Sequence, residues 1–310
     1  MAPVLFSPPQ TFMGVPHETE PGVAKAVILG LPFDCGNHPT RVGARAGPAS
    51  IREQSQLVSA FDGPSSVNPL DDLGVVDLGD ALTYPGELER SYEAMEAAMD
   101  AALVNHALPI TFGGDGSIAL PQMRSLNRLY PGLVVLHLDA HTDAYPLEGY
   151  SNATPFARAF DEGVIDAGHS FHVGTRRAHG IPGIYNYGRQ LGYRIIPMDE
   201  LVDRGIDDVF IDIKKTIEDR PVYLCFDMDF FDPAVAPGVC TPAWGGASAR
   251  EGIQALKSCA GLNIVGMDIN TISPPHDCNG MSAMLAATLA YEFLLMMASG
   301  AIACPRTVFT

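Results

Sequence analysis

The sequence predicts an α/β fold, a mostly parallel sheet with helices on both faces. Three observations predict it. Short apolar runs alternate with amphipathic stretches along nearly the whole chain. Acidic or glycine-rich clusters sit just past three of the apolar runs, at 113–117, 139–143 and 227–232, where an open parallel sheet collects its ligands. No internal repeat, low-complexity tract or long linker breaks the rhythm, so one domain over 26–310 is expected, preceded by an N-terminal extension over 1–25.

In chain order, residues 27–32 read as a strand and 48–56 as a helix. Residues 88–106 read as a long helix with apolar positions at Met95, Ala98, Met99 and Ala102. Strands follow at 108–112 and 133–139, with a helix between them from near Ser117. Later strands fall at 170–174, 193–197, 222–227 and 263–268, and later helices at 181–191, 206–217, 249–258 and 280–298. The Pro- and Gly-rich segment 232–246 is too long for a simple turn, and a long ordered loop just past a strand end often carries function.

Composition narrows the classes. Of 310 residues, 47% are hydrophobic, enough for a sizeable core, and 18% are charged, too few for a disordered chain. The net charge of −17 argues against nucleic acid, whose phosphates it would repel, and mildly favours small cations. No run is expected to cross a membrane, since the longest apolar helix, near 283–298, contains Tyr291 and Glu292. The first 19 residues show no basic segment followed by an apolar stretch, so no secretory signal is expected. None of the six cysteines (Cys35, Cys225, Cys240, Cys259, Cys278, Cys304) forms a CxxC pair, and reduced thiols in the cytoplasm are the expectation. Cys225, in an apolar strand, reads as core.

The chemistry-bearing segments lie at strand ends. In "LHLDAHTDAYP", Asp139, His141 and Asp143 are spaced two apart, and extended backbone points such residues to one face. In "CFDMDFFDP", Asp227 and Asp229 repeat that spacing and Asp232 follows in the turn. One such cluster is usually a turn or a solvated edge. Two, each after a strongly apolar strand, point to a divalent cation that offsets carboxylate repulsion. Oxygen ligands with one imidazole suit Mn²⁺, with Ni²⁺, Co²⁺ or Zn²⁺ as alternatives, and bridging carboxylates suggest two ions able to activate water. The stretch "TFGGDGSI" at 111–118 reads as a phosphate loop, a plain turn, or a metal loop lacking its ligand. No GxxxxGK[ST] or GxGxxG pattern is present, which removes the first.

"DAHTD" and "DMDFFDPAVAPG…TP…GG" resemble the two signature segments of the ureohydrolase family, the arginases, agmatinases and guanidinobutyrases. "GLPFDCGN…RVGARAGPASIRE" and "VGMDINTISPPHD" resemble agmatinase-type segments, and the resemblance runs from Ala26 to the last helix. It implies an arginase-like three-layer α/β/α fold, a binuclear manganese site, hydrolysis of a guanidinium C–N bond to urea and an amine, and trimers or hexamers. By the same resemblance, one metal keeps Asp139, His141, Asp227 and Asp229, and the other keeps Asp139, Asp143 and Asp227. Asp143 is also the residue that would position the nucleophile and pass a proton to the leaving amine.

Three positions depart from the family pattern. The family's GGDHS is GGDGS here, so Gly116 stands where a histidine ligates metal. Its HGTPF is NATPF, so Asn152 replaces a proton-shuttling histidine. Its MDVVEVSPP is MDINTISPP, so Thr271 replaces the glutamate that pairs with the guanidinium, a loss of about 2–5 kcal/mol of affinity in a desolvated site. Cys278 or His276 is a candidate replacement for the missing ligand.

Three readings follow. The first is a subunit with a degenerate site that assembles with an active paralogue, as in heteromeric guanidine- or biguanide-hydrolysing enzymes of the metformin hydrolase type. The second is an active hydrolase with one or two ions, substrate-binding positions Asn152 and Thr271, and an altered guanidino, amidino or ureido substrate. The third is a small-cation binding or regulatory protein. Elsewhere, His137 reads as a core histidine or one supporting a ligand, and His17, His38, His106 and His179 as surface residues. Trp244 reads as pocket wall or subunit contact, Asp232 as a loop former, and Arg45 and Glu53 as scaffold.

Overall fold

The structure is a computed structural model and describes residues 9–36, 38, 40–176 and 180–303. Among these residues, eight strands form one sheet: β1 (Ala26–Leu31), β2 (Val76–Asp80), β3 (Leu108–Gly113), β4 (Val134–Leu138), β5 (Phe171–Thr175), β6 (Arg194–Pro197), β7 (Pro221–Asp227) and β8 (Asn263–Asn270). They lie in the order β2-β1-β3-β8-β7-β4-β5-β6, every neighbour parallel. Among the described residues, ten helices cover it: α1 (Gly47–Ser55), α2 (Pro69–Leu73), α3 (Leu88–Ala102), α4 (Ala119–Leu129), α5 (Pro155–Asp161), α6 (Ile184–Gln190), α7 (Met198–Arg204), α8 (Ile206–Ile217), α9 (Ala249–Lys257) and α10 (Met281–Ala298).

The strands read as continuous apolar runs because both sheet faces are covered. Successive residues of a strand feed opposite layers. Ala26 and Ile28 join a core with Ile51 of α1, Phe210 of α8, Ala255 of α9 and Leu294 of α10. Val27, Leu29 and Leu31 join a second core with Met95 of α3 and Leu120 of α4. The result is the expected three-layer α/β/α fold.

Several expectations need correction. The helix expected over 88–106 ends at Ala102, because Asn105 and His106 take positive φ (61° and 59°) to turn the chain into β3. The helix expected from 181 starts at Ile184, after Gly183 at φ 78°. β2 was not anticipated: its fully buried position is Asp77, held by Arg52, so no apolar alternation marks it. The short helices α2, α5 and α7 carry too few turns for a periodic signal. Within the expected N-terminal extension, Phe12 is fully buried and its ring sits 5.3 Å from that of Phe112.

α10 also corrects an expectation: by length and composition it is apolar enough to cross a membrane. It packs instead against α1, α2 and α9, with both faces apolar because it lies inside the molecule. α9 opens on a capping box, Ser248 accepting from the Glu251 amide while the Glu251 carboxylate accepts from the Ser248 amide.

Candidate metal centre and its pocket

The four central strands, β3, β8, β7 and β4, end side by side. Their C-terminal ends carry Gly116, Thr271, Asp227 with Asp229, and Asp139 with His141 and Asp143. Four sequence segments far apart in the chain therefore converge on one cavity of about 230 Å³, lined by Gly116, His141, Asp143, Asn152, Asp227, Asp229 and Thr271 among others. Asp139 lies beneath it, 1% exposed.

All five expected metal ligands meet there. Asp139 Oδ1 accepts from the His141 amide at 2.6 Å, and His141 Nδ1 lies 3.1 Å from both Asp139 Oδ1 and Asp229 Oδ2. Asp229 Oδ1 accepts from the Ala140 amide at 3.0 Å, which ties the β7 end to the β4 end. Donor atoms of Asp139, His141 and Asp229 lie within 4.8 Å of one another, close enough to share one ion. Asp139 Oδ2 is buried without a hydrogen-bond donor, a lone-pair site that a cation would satisfy. His137, Asp139 and Asp143 form a second such grouping.

The electrostatics agree with a site built for a cation. Burial pushes the Asp143 carboxyl well above its usual range, and the Asp139 charge pushes the same way. Burial, then the Asp229 and Asp139 charges, does the same to Asp227. Asp229 is pushed up to about 6 by burial and by Asp139. Burial also opposes ionisation of Asp139, but His137 and His141 outweigh it and hold that carboxyl well below the usual range. His141 is held well above its usual value, burial being outweighed by Asp229 and Asp139. Four carboxylates thus share two imidazoles, and no lysine or arginine lines the cavity among the described residues.

The three departing positions are each occupied by something definite. A Cβ on residue 116 would sit 2.7 Å from Asp143 Oδ2 and 3.1 Å from the Asn152 carbonyl, so the Asp143 carboxylate fills the space a side chain there would need. Asp143 itself sits at φ 45°. The Asn152 amide donates to His38 Nε2 at 2.8 Å. Thr271, at φ 66°, donates its hydroxyl to Asp227 Oδ1 at 2.5 Å, and the Asp229 amide donates to the same oxygen at 2.7 Å. Thr271, expected to bind substrate, lines the cavity, and its hydroxyl donates to the Asp227 carboxylate.

His38 corrects another expectation. It is a pocket residue rather than a surface one, bonded to Asn152 and 3.4 Å from Thr241 Oγ1. Burial, then the His141 charge, lowers its pKa. Its place just past β1, at the same sheet edge as the other clusters, was the signal available. Cys278 and His276 are not among the cavity-lining residues and do not replace the missing ligand there. Trp244 is 62% exposed and does not line the cavity. His17 is exposed and His106 half-buried, while His179 lies outside the described residues.

Supporting residues complete the floor. His137 Nδ1 pairs with His172 Nδ1 at 2.9 Å, and its Nε2 lies 2.9 Å from Asp139 Oδ2, out of hydrogen-bonding alignment. Arg176, missed in the sequence, is buried and donates to the carbonyls of Asp229, Phe231 and Ala243, pinning the 229–243 loop to the β5 end. Asp232 accepts from the amides of Ala234, Gly245 and Gly246, as a loop former should. Arg45 pairs with buried Asp34, whereas Glu53 is exposed and its neighbour Arg52 carries the scaffold role.

The comparisons with known proteins agree with this geometry. The sequence profile of the Arginase family matches residues 24–296. A guanidinopropionase from Pseudomonas aeruginosa is 35% identical over 295 residues, covering 94% of this chain and 92% of that protein. The solved structure of proclavaminate amidino hydrolase from Streptomyces clavuligerus is 31% identical, with a TM-score of 0.87 and coverage of 94% of this chain and 98% of that one. A Trypanosoma cruzi formiminoglutamase solved with manganese is 25% identical, with a TM-score of 0.81 and coverage of 89% and 94%. This chain belongs to the arginase family.

Proposed function

We propose that this chain is a ureohydrolase-type subunit for guanidino or biguanide compounds whose own centre holds a reduced metal set, and that it works in a trimer or hexamer beside an active paralogous chain. The observation that carries this reading is the Asp143 carboxylate lying in the space that a ligand side chain at 116 would need. The other two departures point the same way. Asn152 cannot carry a proton near neutrality, and Thr271 brings no charge to a guanidinium.

Asp139, His141 and Asp229 are the residues that would hold one ion, Mn²⁺ or Ni²⁺. A bound ion there would supply a water of lowered pKa. The chain's own contribution is orientation: the Asp229 carboxylate is fixed by the Ala140 amide, and Asp227 by Thr271 and the Asp229 amide. A second reading, an active hydrolase with an altered substrate, is favoured by one observation. His38 brings an imidazole against Asn152, at the place where the lost proton carrier would stand.

The test is metal content and turnover of the chain purified alone with Mn²⁺ or Ni²⁺, then mixed with an active family member. One ion or fewer per chain and no urea or guanylurea release alone is expected. Two ions per chain with turnover alone would sink the reduced-site reading and leave the second one standing, with His38→Ala then expected to lower turnover.

A further inference from the structure

We propose that the groove between α8 and α9 docks an acidic, amphipathic helix of a partner chain. The groove encloses about 890 Å³ and shares no lining residue with the acidic cavity. Phe210, Ile211 and Ile253 give it an apolar lining, with Ile211 49% exposed. Lys214, Arg250 and Lys257 give it cations, against one acid, Asp207, which accepts from Ser258.

The charge pattern selects the occupant. In a chain of net charge −17, three of the four lysines, Lys214, Lys215 and Lys257, lie on α8 and α9. Among the described residues, every lysine and arginine except two has a carboxylate, carbonyl or aromatic ring as partner. The two exceptions, Lys214 and Arg250, line this same groove. Lys257 is already held by Glu292 at 3.0 Å. An unpaired cation beside exposed apolar surface is satisfied by a partner that covers the apolar floor and brings its own carboxylates, the arrangement of an amphipathic helix in a groove.

Other occupants match less well. The chain's end segments at 1–8 and 304–310, MAPVLFSP and CPRTVFT, contain no acid, and the second contains Arg306. A symmetric contact of groove on groove would set like charges face to face. Nucleic acid would meet the field of the whole chain.

The experiment uses the full chain and a labelled helical peptide of about 15 residues with Leu on one face and Glu on the other, read by fluorescence anisotropy. The control peptide carries Lys in place of Glu. Binding of the Glu peptide is expected, weakened by added salt and by about tenfold or more in Lys214→Glu/Arg250→Glu, with no binding of the Lys peptide. Ile211→Asp, at an exposed position, should weaken binding by removing apolar contact and serves if the double reversal misfolds by circular dichroism. No binding of the Glu peptide, equal binding of both peptides, or affinity unchanged in the variants overturns the proposal. Sedimentation of the same samples adds one more overturning result: self-association that the double reversal abolishes would assign the groove to a second copy. The readout does not depend on the metal content or turnover of the acidic cavity, so it fails or succeeds separately from the proposed function.

Discussion

Two buried acidic clusters in this molecule are handled in opposite ways. Asp77 of β2 is fully buried, yet both its oxygens are held by Arg52 of α1, at 2.8 and 2.9 Å, and by the amides of Phe12 and Gly79. Arg52 reaches Asp80 as well, at 2.5 Å. The cluster is closed, and its work is to fasten α1 and the N-terminal segment to the edge of the sheet. At the central strand ends, Asp139, Asp227 and Asp229 are also buried, with Asp143 half-buried beside them, but those three meet only imidazoles, hydroxyls and amides. The difference teaches where to look for a ligand: several carboxylates gathered at one place with no lysine or arginine among them leave room for a cation from outside.

The comparison can be broken at several points. The largest effect is expected from Arg52→Met, which leaves Asp77 charged and uncompensated in the core. It should lose about 3–5 kcal/mol in urea unfolding, and added Mn²⁺ should not restore it. A loss below the error of the measurement would mean that the amides alone satisfy Asp77.

Next, metal at about a hundredfold excess over its dissociation constant should stabilise the wild type by about 2.7 kcal/mol, reversed by a chelator. Asp229→Asn should abolish that gain, seen as a thermal shift that no longer responds to Mn²⁺ or Ni²⁺. A gain that survives the substitution would place the ion elsewhere.

Thr271→Val should cost about 1 kcal/mol, through loss of the hydroxyl bond to Asp227. It should also raise the affinity for added metal by freeing that carboxylate oxygen, measurable by calorimetry. Unchanged metal affinity would show that Asp227 takes no part in binding.

The smallest effect at neutral pH is expected from Asp268→Asn. Asp268 is fully buried under the centre with neutral donors, Thr111, Tyr223 and Asn270, and burial raises its pKa above 3.8. A carboxyl raised on folding stabilises fully below its unfolded value and loses that contribution as pH rises through its folded value. The deficit of the variant against wild type should therefore be greatest in acid and shrink towards neutrality. A deficit that grows with pH would mean that the carboxylate is stabilised in its charged form.

Much of this was legible beforehand. Seven of the eight strands carry apolar runs that the eye can find, because both faces of a covered parallel sheet are dry. β2 escaped because Asp77, its buried residue, is charged and satisfied by a side chain from another element. The acidic clusters that line the cavity were legible because carboxylates two apart at a strand end leave a local mark in the chain. His38 left only its place past β1: it touches Asn152, 114 positions away, through a loop whose course only the assembled sheet sets. Arg176 was hidden for the same reason, since its partners are backbone carbonyls, which no side-chain pattern reports.

By itself the sequence determined the fold class, the acidic clusters at the strand ends and, through its resemblance to the family, the three positions that break the family pattern, because periodicity, spacing and residue identity are properties of short stretches. Only the tertiary structure decided what fills those three positions: Asp143 in the space at Gly116, His38 on Asn152, and Thr271 on Asp227. It also gathered the unpaired Lys214 and Arg250 along one groove. The physical reason is common to all four. A hydrogen bond, a filled void or a missing ion partner depends on distances between atoms of different elements, and those distances exist only once the strands have paired and the helices have packed.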